Sequence, residues 1–214
     1  SKLLDINNMI LSFNYKIDLF TKLLRIRKIE EKIASEYKKQ EMRCPIHLSI
    51  GQESVAVSIC SQLKKNDLIV SGHRAHAHYL AKGGSLKKMI SEMYLKETGT
   101  SKGRLGSMHL NDMSAGISAS IPIVASSIPI AVGIALSIKM KKENRISVVF
   151  FGEAATEEGV FFESINFAQL NKLPILFVCE NNKYSVYSNL EVRIPKNRDN
   201  CKIVNGFGVK NQKL

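Results

Sequence analysis

The chain contains no tryptophan and only four cysteines in 214 residues. Cys44, Cys60, Cys179 and Cys201 lie far apart and form no CxxC pair. That spacing excludes a zinc ribbon and a disulfide framework, and free thiols point to a reducing cytoplasm. Acidic residues are also few, 19 against 31 lysines and arginines, for a net charge of +12. The excess cations, such as Lys22, Lys28, Lys64, Lys87 and Lys141, are scattered over expected helix surfaces. With no aromatic RNP cluster, zinc-finger spacing or basic zipper beside them, they imply solvated faces or an acidic protein partner, and no nucleic acid. Repeats and low-complexity linkers are missing too, and a 44% hydrophobic content excludes disorder. No targeting peptide is visible, because the apolar piece at Ile10 to Phe13 is too short for a signal segment, so a cytoplasmic location is expected.

One stretch, Met113 to Ile138, has no charge at all and is long enough to cross a bilayer. Pro122, Pro129, Gly116, Gly133 and six serines interrupt it, so it reads as a loop followed by a buried helix, with no membrane. Apolar residues Ile17, Phe20, Leu24, Ile29, Ile33 and Tyr37 define an amphipathic helix, part of an N-terminal helical segment at about 1–45. Gly51 to Leu63 forms a second helix, Asp67 to Val70 a short strand, and Ser85 caps a third helix with Leu86, Met89, Ile90, Met93 and Tyr94 on one face. A glycine-bearing loop with Gly99, Gly103, Gly106 and Gly116 follows. Ser126 or Ser127 is expected to cap the next helix, with Pro129 in its first turn.

Ile146 to Phe151 and Pro174 to Cys179 are continuous apolar runs, and Glu157 to Leu170 between them is helical in pattern. Strands apolar on both faces and joined by a helix make a βαβ unit in a covered parallel sheet. The residues just past two such strands emerge on one sheet edge, where ligands of open α/β sheets bind. Here they are Gly152-Glu153-Ala154-Ala155 and Glu180-Asn181-Asn182-Lys183-Tyr184. A carboxylate and an amide oxygen at neighbouring strand ends suit magnesium shared with a phosphate group. A helix starting near Glu157 would add its positive end. The same residues also suit a helix cap at Glu153 and an asparagine turn, and local pattern leaves both readings open.

Gly152-Glu153-Ala154-Ala155 followed by Glu180-Asn181-Asn182 resembles the thiamine-diphosphate motif that begins Gly-Asp-Gly and ends Asn-Asn about thirty residues later. The segment EEGVFFESINFAQLNKLPILFVCENNKYS is similar to the alpha subunit of the decarboxylating component of 2-oxo acid dehydrogenase complexes (pyruvate, branched-chain or acetoin type). The likeness runs from about Ile17 to Gly208 and includes LLRIRKIEEKI, IHLSIGQESVAV, HRAHAHYLAKG and LGSMHL.

The resemblance implies a three-layer α/β thiamine-diphosphate-binding fold, with a mostly parallel sheet covered by helices on both faces, as a single domain over 1–214. It implies oxidative decarboxylation of a 2-oxo acid, or cleavage of acetoin, with acyl transfer to a lipoyl-bearing acyltransferase, in an α2β2 heterotetramer with a beta subunit. By the same likeness Glu153, Asn182 and the Tyr184 backbone oxygen would bind Mg2+, and Arg74 with His73 the diphosphate. Pro122 and Val124 would face the aminopyrimidine ring, and Ala154 and Ala155 the diphosphate. His47 and His76 fall on histidines of the family's pattern and are the catalytic candidates. A zinc site at His73, His76 and His78 is disfavoured by Arg74 in their midst.

The chain departs from the family where Glu153 replaces aspartate, adding about 1.5 Å of reach. Ala154, Ala125 and Ser126 stand where glycines are expected, and His73 stands for a tyrosine. The family also continues for roughly another hundred residues, so the fold is expected to be incomplete at the C-terminus. These departures support a second expectation, a non-catalytic truncated or degenerate homologue that keeps the fold and binds a partner subunit.

Overall fold

The computed structural model describes residues 12–214. The first eleven residues of the expected N-terminal helical segment lie outside the described residues. Along the chain come α1 (Phe13–Tyr37), α2 (Glu53–Cys60), β1 (Leu68–Ser71), α3 (His76–Ala81), α4 (Leu86–Met93), β2 (Ile117–Ser120) and α5 (Ser127–Met140). They are followed by β3 (Ser147–Gly152), α6 (Gly159–Leu170), β4 (Ile175–Glu180), the short strands β5 (Tyr184–Ser185) and β6 (Ser188–Asn189), and α7 (Asn200–Gly206).

The main sheet has the order β2-β1-β3-β4 and every neighbouring pair is parallel. The β3–β4 ladder runs from Ser147 opposite Ile175 to Gly152 opposite Glu180. Side chains alternate across the sheet, as strand geometry demands. Ile69, Val148, Phe150 and Val178 join one buried cluster with residues of α1 to α4, including Ile26, Ile33, Val57, Tyr79 and Met89. Val70, Val149 and Phe151 join another with Ile128 and Ala131 of α5 and Phe161 and Ile165 of α6. Helices therefore cover both faces of β1 and β3, and the βαβ unit at 146–179 is present with its strands as direct neighbours. Strand β4, however, ends the sheet and leaves Leu176 and Cys179 exposed, so the second run is not buried on both faces.

The structure corrects the expected face of α1. Ile17, Phe20, Leu24 and Tyr37 are exposed and Ile29 is half-buried, so of the expected face Ile33 alone is buried, together with Ile26 and Glu30. A fully buried glutamate in the middle of that face breaks the apolar period and shifts attention to the wrong stripe. The uncharged stretch divides into β2 and α5; Ser126 sits at the N-cap of α5 but makes no side-chain cap bond. Among the described residues, no helix is long and apolar enough to cross a membrane. Helix α6 starts at Gly159, because Glu153–Glu157 forms a 3-10 turn, so the expected dipole at Glu157 is displaced from the strand end.

The glycine-bearing loop is organised by one carboxylate. Glu92 of α4 is fully buried and accepts hydrogen bonds from the backbone N–H groups of Ser101, Gly103, Leu105 and Gly106 at 2.8 to 3.1 Å. Gly103 and Gly106 adopt positive φ of 70° and 71°, which L side chains rarely do, and at both a Cβ would collide with Leu95 or Cys44. Burial raises the Glu92 carboxyl pKa, but the four N–H groups outweigh it and hold the group below its ordinary range. Glu92→Ala is expected to cost about 3 kcal/mol, since it strands buried donors; thermal denaturation measures this, and a Tm unchanged within a degree would contradict the role.

Candidate active site

The C-terminal ends of all four main strands open into one cavity of about 150 Å³. Past β1 come Gly72, His73 and Arg74; past β2, Ile121, Ile123, Val124 and Ala125; past β3, Glu153, Ala154 and Ala155; and past β4, Asn182 and Tyr184. Parallel pairing forces this convergence, because every strand delivers its following loop to the same edge. Of the residues singled out in the sequence, His73, Arg74, Val124, Glu153, Ala154, Ala155, Asn182 and Tyr184 line the cavity together. Pro122, between two lining residues, does not line it, nor do His47 and His76.

Glu153 is 3% exposed, and Arg193 pairs with it at 2.5 Å. The same guanidinium also pairs with Glu157, tying the segment after β6 across the turn that follows β3. From the adjacent strand end, Asn182 Oδ1 accepts from the Tyr184 N–H at 2.9 Å, and Asn181 Oδ1 does the same for Lys183. Two asparagine turns therefore shape the segment through which Asn182 and Tyr184 line the cavity. Glu153 makes no cap bond.

Arg74 donates to the Leu48 carbonyl. His73 lies beside it, with the His47 ring edge-on at 4.8 Å between centroids. Burial first, then His47 and Arg74, push the His73 imidazole below its ordinary pKa. Burial first, then Arg74 and His76, do the same to His47. Both rings are thereby held toward the neutral form next to a permanent guanidinium charge. His76 is fully buried, and its Nδ1 lies 2.8 Å from Glu30. The three closely spaced histidines thus take separate partners, for His78 lies 2.7 Å from Ser71 Oγ and 3.2 Å from Glu180, stacked on Phe150.

Sequence reasoning missed Gln52 and Arg193, and it placed Glu180 on the edge and weighed His78 for zinc without giving either a role in the cavity. Glu180 ends β4 and was legible as the last residue of the strand, while His78 carries no local signal beyond its type. Arg193 reaches Glu153 across 40 residues and no short motif announces it. Where glycine was expected, Ala125 adopts a left-handed φ of 65° and is 3% exposed.

Carboxylate, amide and backbone oxygens on one side and a guanidinium on the other fit a hard divalent cation carrying a phosphate group, with no soft ligand in the set. The fold and this edge define a parallel α/β protein with a crevice at its strand ends lined by both acidic and basic side chains. Comparison with known proteins narrows that class: residues 21–193 match the family described as Dehydrogenase E1 component, and the chain belongs to it. The alpha subunit of acetoin:2,6-dichlorophenolindophenol oxidoreductase from Bacillus subtilis is 38% identical over 86% of this chain and 55% of its own length. The mitochondrial pyruvate dehydrogenase E1 component subunit alpha from Dictyostelium discoideum is 36% identical over 79% of this chain and 45% of its own. The chain thus spans about half the length of the curated relatives it matches. A solved structure of a thiamin diphosphate-dependent enzyme from Mycobacterium smegmatis overlaps 76% of this chain and 28% of its own at 18% identity, with a TM-score of 0.46, too loose a likeness to add to the assignment.

Two outcomes are expected. His47 and His73 bind protons more weakly folded than unfolded, so their contribution to stability is present above about pH 6.5 and is lost as pH falls below it. Tm should therefore fall on acidification through that window, and His73→Phe should make the fall shallower; an identical slope in the variant would contradict the assignment. Ala125→Gly should relieve the left-handed strain and raise stability by about 0.5–1 kcal/mol in thermal or denaturant unfolding, whereas a loss of stability would show that no strain is stored there.

Proposed function

We propose that the chain supplies the metal- and diphosphate-binding half of a thiamine-diphosphate-dependent E1 component. It would act as an alpha subunit with a beta subunit on a small 2-oxo acid or on acetoin, and pass the acyl group to a lipoyl-bearing acyltransferase. One observation carries this reading: the loops after four parallel strands meet at one cavity where Glu153, Asn182 and Tyr184 face Arg74 and His73. Membership of the E1 family and the alpha-subunit relatives support the cofactor and the heterotetrameric partner.

In this reading Glu153 and Asn182 hold Mg2+ through side-chain oxygens and Tyr184 through its carbonyl. Arg193 occupies one carboxylate oxygen of Glu153, which would leave the second for the metal. Arg74 and His73 bind the diphosphate, with the Ala154 and Ala155 amides nearby. Val124, beside Ile121 and Ile123, would form the apolar edge toward the aminopyrimidine, a place that Pro122 does not reach. When bound, thiamine diphosphate supplies the nucleophilic carbon and electron sink for decarboxylation. The chain's own residues bind and orient it and hold neutral imidazoles beside the anion.

A second reading, a partner-binding homologue without catalysis, is favoured by the guanidinium that already neutralises Glu153. Thiamine diphosphate binding, measured with and without Mg2+ for wild type and Glu153→Ala, separates the two. The proposal expects Mg2+-dependent binding that weakens about 10- to 100-fold in the variant. Equal binding in all cases, or none, would overturn it.

A further inference from the structure

The buried glutamate that disguised the inner face of α1 has a place in the geometry around Arg74. Glu30 is fully buried and uses both carboxylate oxygens. One accepts the Ser49 N–H at 2.6 Å and the other lies 2.8 Å from His76 Nδ1. Ser49 directly follows Leu48, whose carbonyl receives the Arg74 guanidinium. His76 stands two residues after Arg74 and opens α3. A single carboxylate therefore grips the two segments that bracket Arg74: the one that catches its side chain and the one that fixes its backbone. Arg74 itself lines the cavity, whereas neither Glu30 nor His76 does.

Burying a carboxylate costs several kcal/mol before its partners compensate, and an apolar side chain would fill the same space more cheaply. Packing alone does not explain Glu30, but holding two separate loops at fixed distance does, because each of its oxygens bonds a different one. Placing a guanidinium is demanding work. Its planar fork recognises phosphate oxygens through direction as well as charge, so a small rotation loses a bond while the charge stays.

We propose that Glu30 is a positioning residue for anion binding: by fixing the Leu48–Ser49 segment and His76, it aims the Arg74 guanidinium at a diphosphate group in the cavity. The inference rests on the reading of Arg74 as the anion-binding residue. It adds a carboxylate that touches Ser49 and His76 from a helix more than forty residues earlier in the chain.

The test is a double-mutant cycle on the full-length protein, with inorganic pyrophosphate and Mg2+ as the probe and calorimetry as the readout. Wild type, Glu30→Gln, Arg74→Lys and the double variant are compared, with circular dichroism and Tm reporting the fold. Glutamine keeps the volume and one acceptor, so this variant folds where Glu30→Ala would fail. Glu30→Gln is expected to weaken pyrophosphate binding about tenfold when Arg74 is present. It should have less than about a twofold effect beside Arg74→Lys, whose flexible ammonium needs no aiming. A Glu30→Gln loss of equal size in both backgrounds, or no loss, would overturn the positioning role and leave the reading of Arg74 standing. No pyrophosphate binding by wild type, or binding indifferent to Arg74→Lys, would overturn that reading and this inference with it.

Discussion

Register at the end of the β3–β4 ladder governs the rest of this molecule. Gly152 lies opposite Glu180, so the chain leaves both strands at the same level and in the same direction. Glu153 and Asn182 then have nowhere to go but the same edge. A one-residue slip would turn every side chain of one strand to the other face and would bury Val149 and Phe151 on the wrong side. The apolar alternation that fills both cores therefore fixes the register, and the register fixes the site. Stability and function share a cause here, since the residues that cannot move are those that place the residues that bind.

The two faces of the sheet divide the remaining work. Helices α1 to α4 brace the positive side of the cavity. Glu30 holds Ser49 and His76, and Arg27 holds Glu53, which in turn accepts the Gly51 N–H. The opposite side carries the carboxylates and is more open to solvent. Glu153 is buried, but Asn182 and Tyr184 are exposed, and Arg193 spans Glu153 and Glu157 from a segment that follows a two-stranded hairpin. In the proposed function the guanidinium wall would receive the anion and the oxygen-bearing wall the metal.

Much of this was legible in the sequence because parallel strands buried on both faces leave long apolar runs. ISVVFF is such a run, whereas PILFVC ends the sheet with Leu176 and Cys179 exposed; the shared edge of the loops after both followed from strand direction, and their metal and diphosphate roles from the resemblance. Other features were hidden for physical reasons. Strand β2 is only Ile-Ser-Ala-Ser, with one strand-favouring residue, and it exists because β1 offers it a partner. Helix α3 is six residues long and buried almost throughout, so it has no polar face to give it a period. Glu30 broke the pattern of α1 by being charged where the helix is most buried. Arg193 depends on a contact across 40 residues, and His76 matched the family's pattern while lying away from the cavity lining.

The central claim is that Glu153, Asn182 and Tyr184 make one hard-cation site beside Arg74. A crystal structure of the protein grown with Mn2+ and thiamine diphosphate, read through the manganese anomalous signal, addresses it directly. The account predicts one strong peak about 2.1 to 2.3 Å from the Glu153 carboxylate, the Asn182 amide oxygen and the Tyr184 carbonyl, with the diphosphate between the metal and Arg74. A peak elsewhere, or a bound cofactor with Arg193 as the only cation on Glu153, would contradict it.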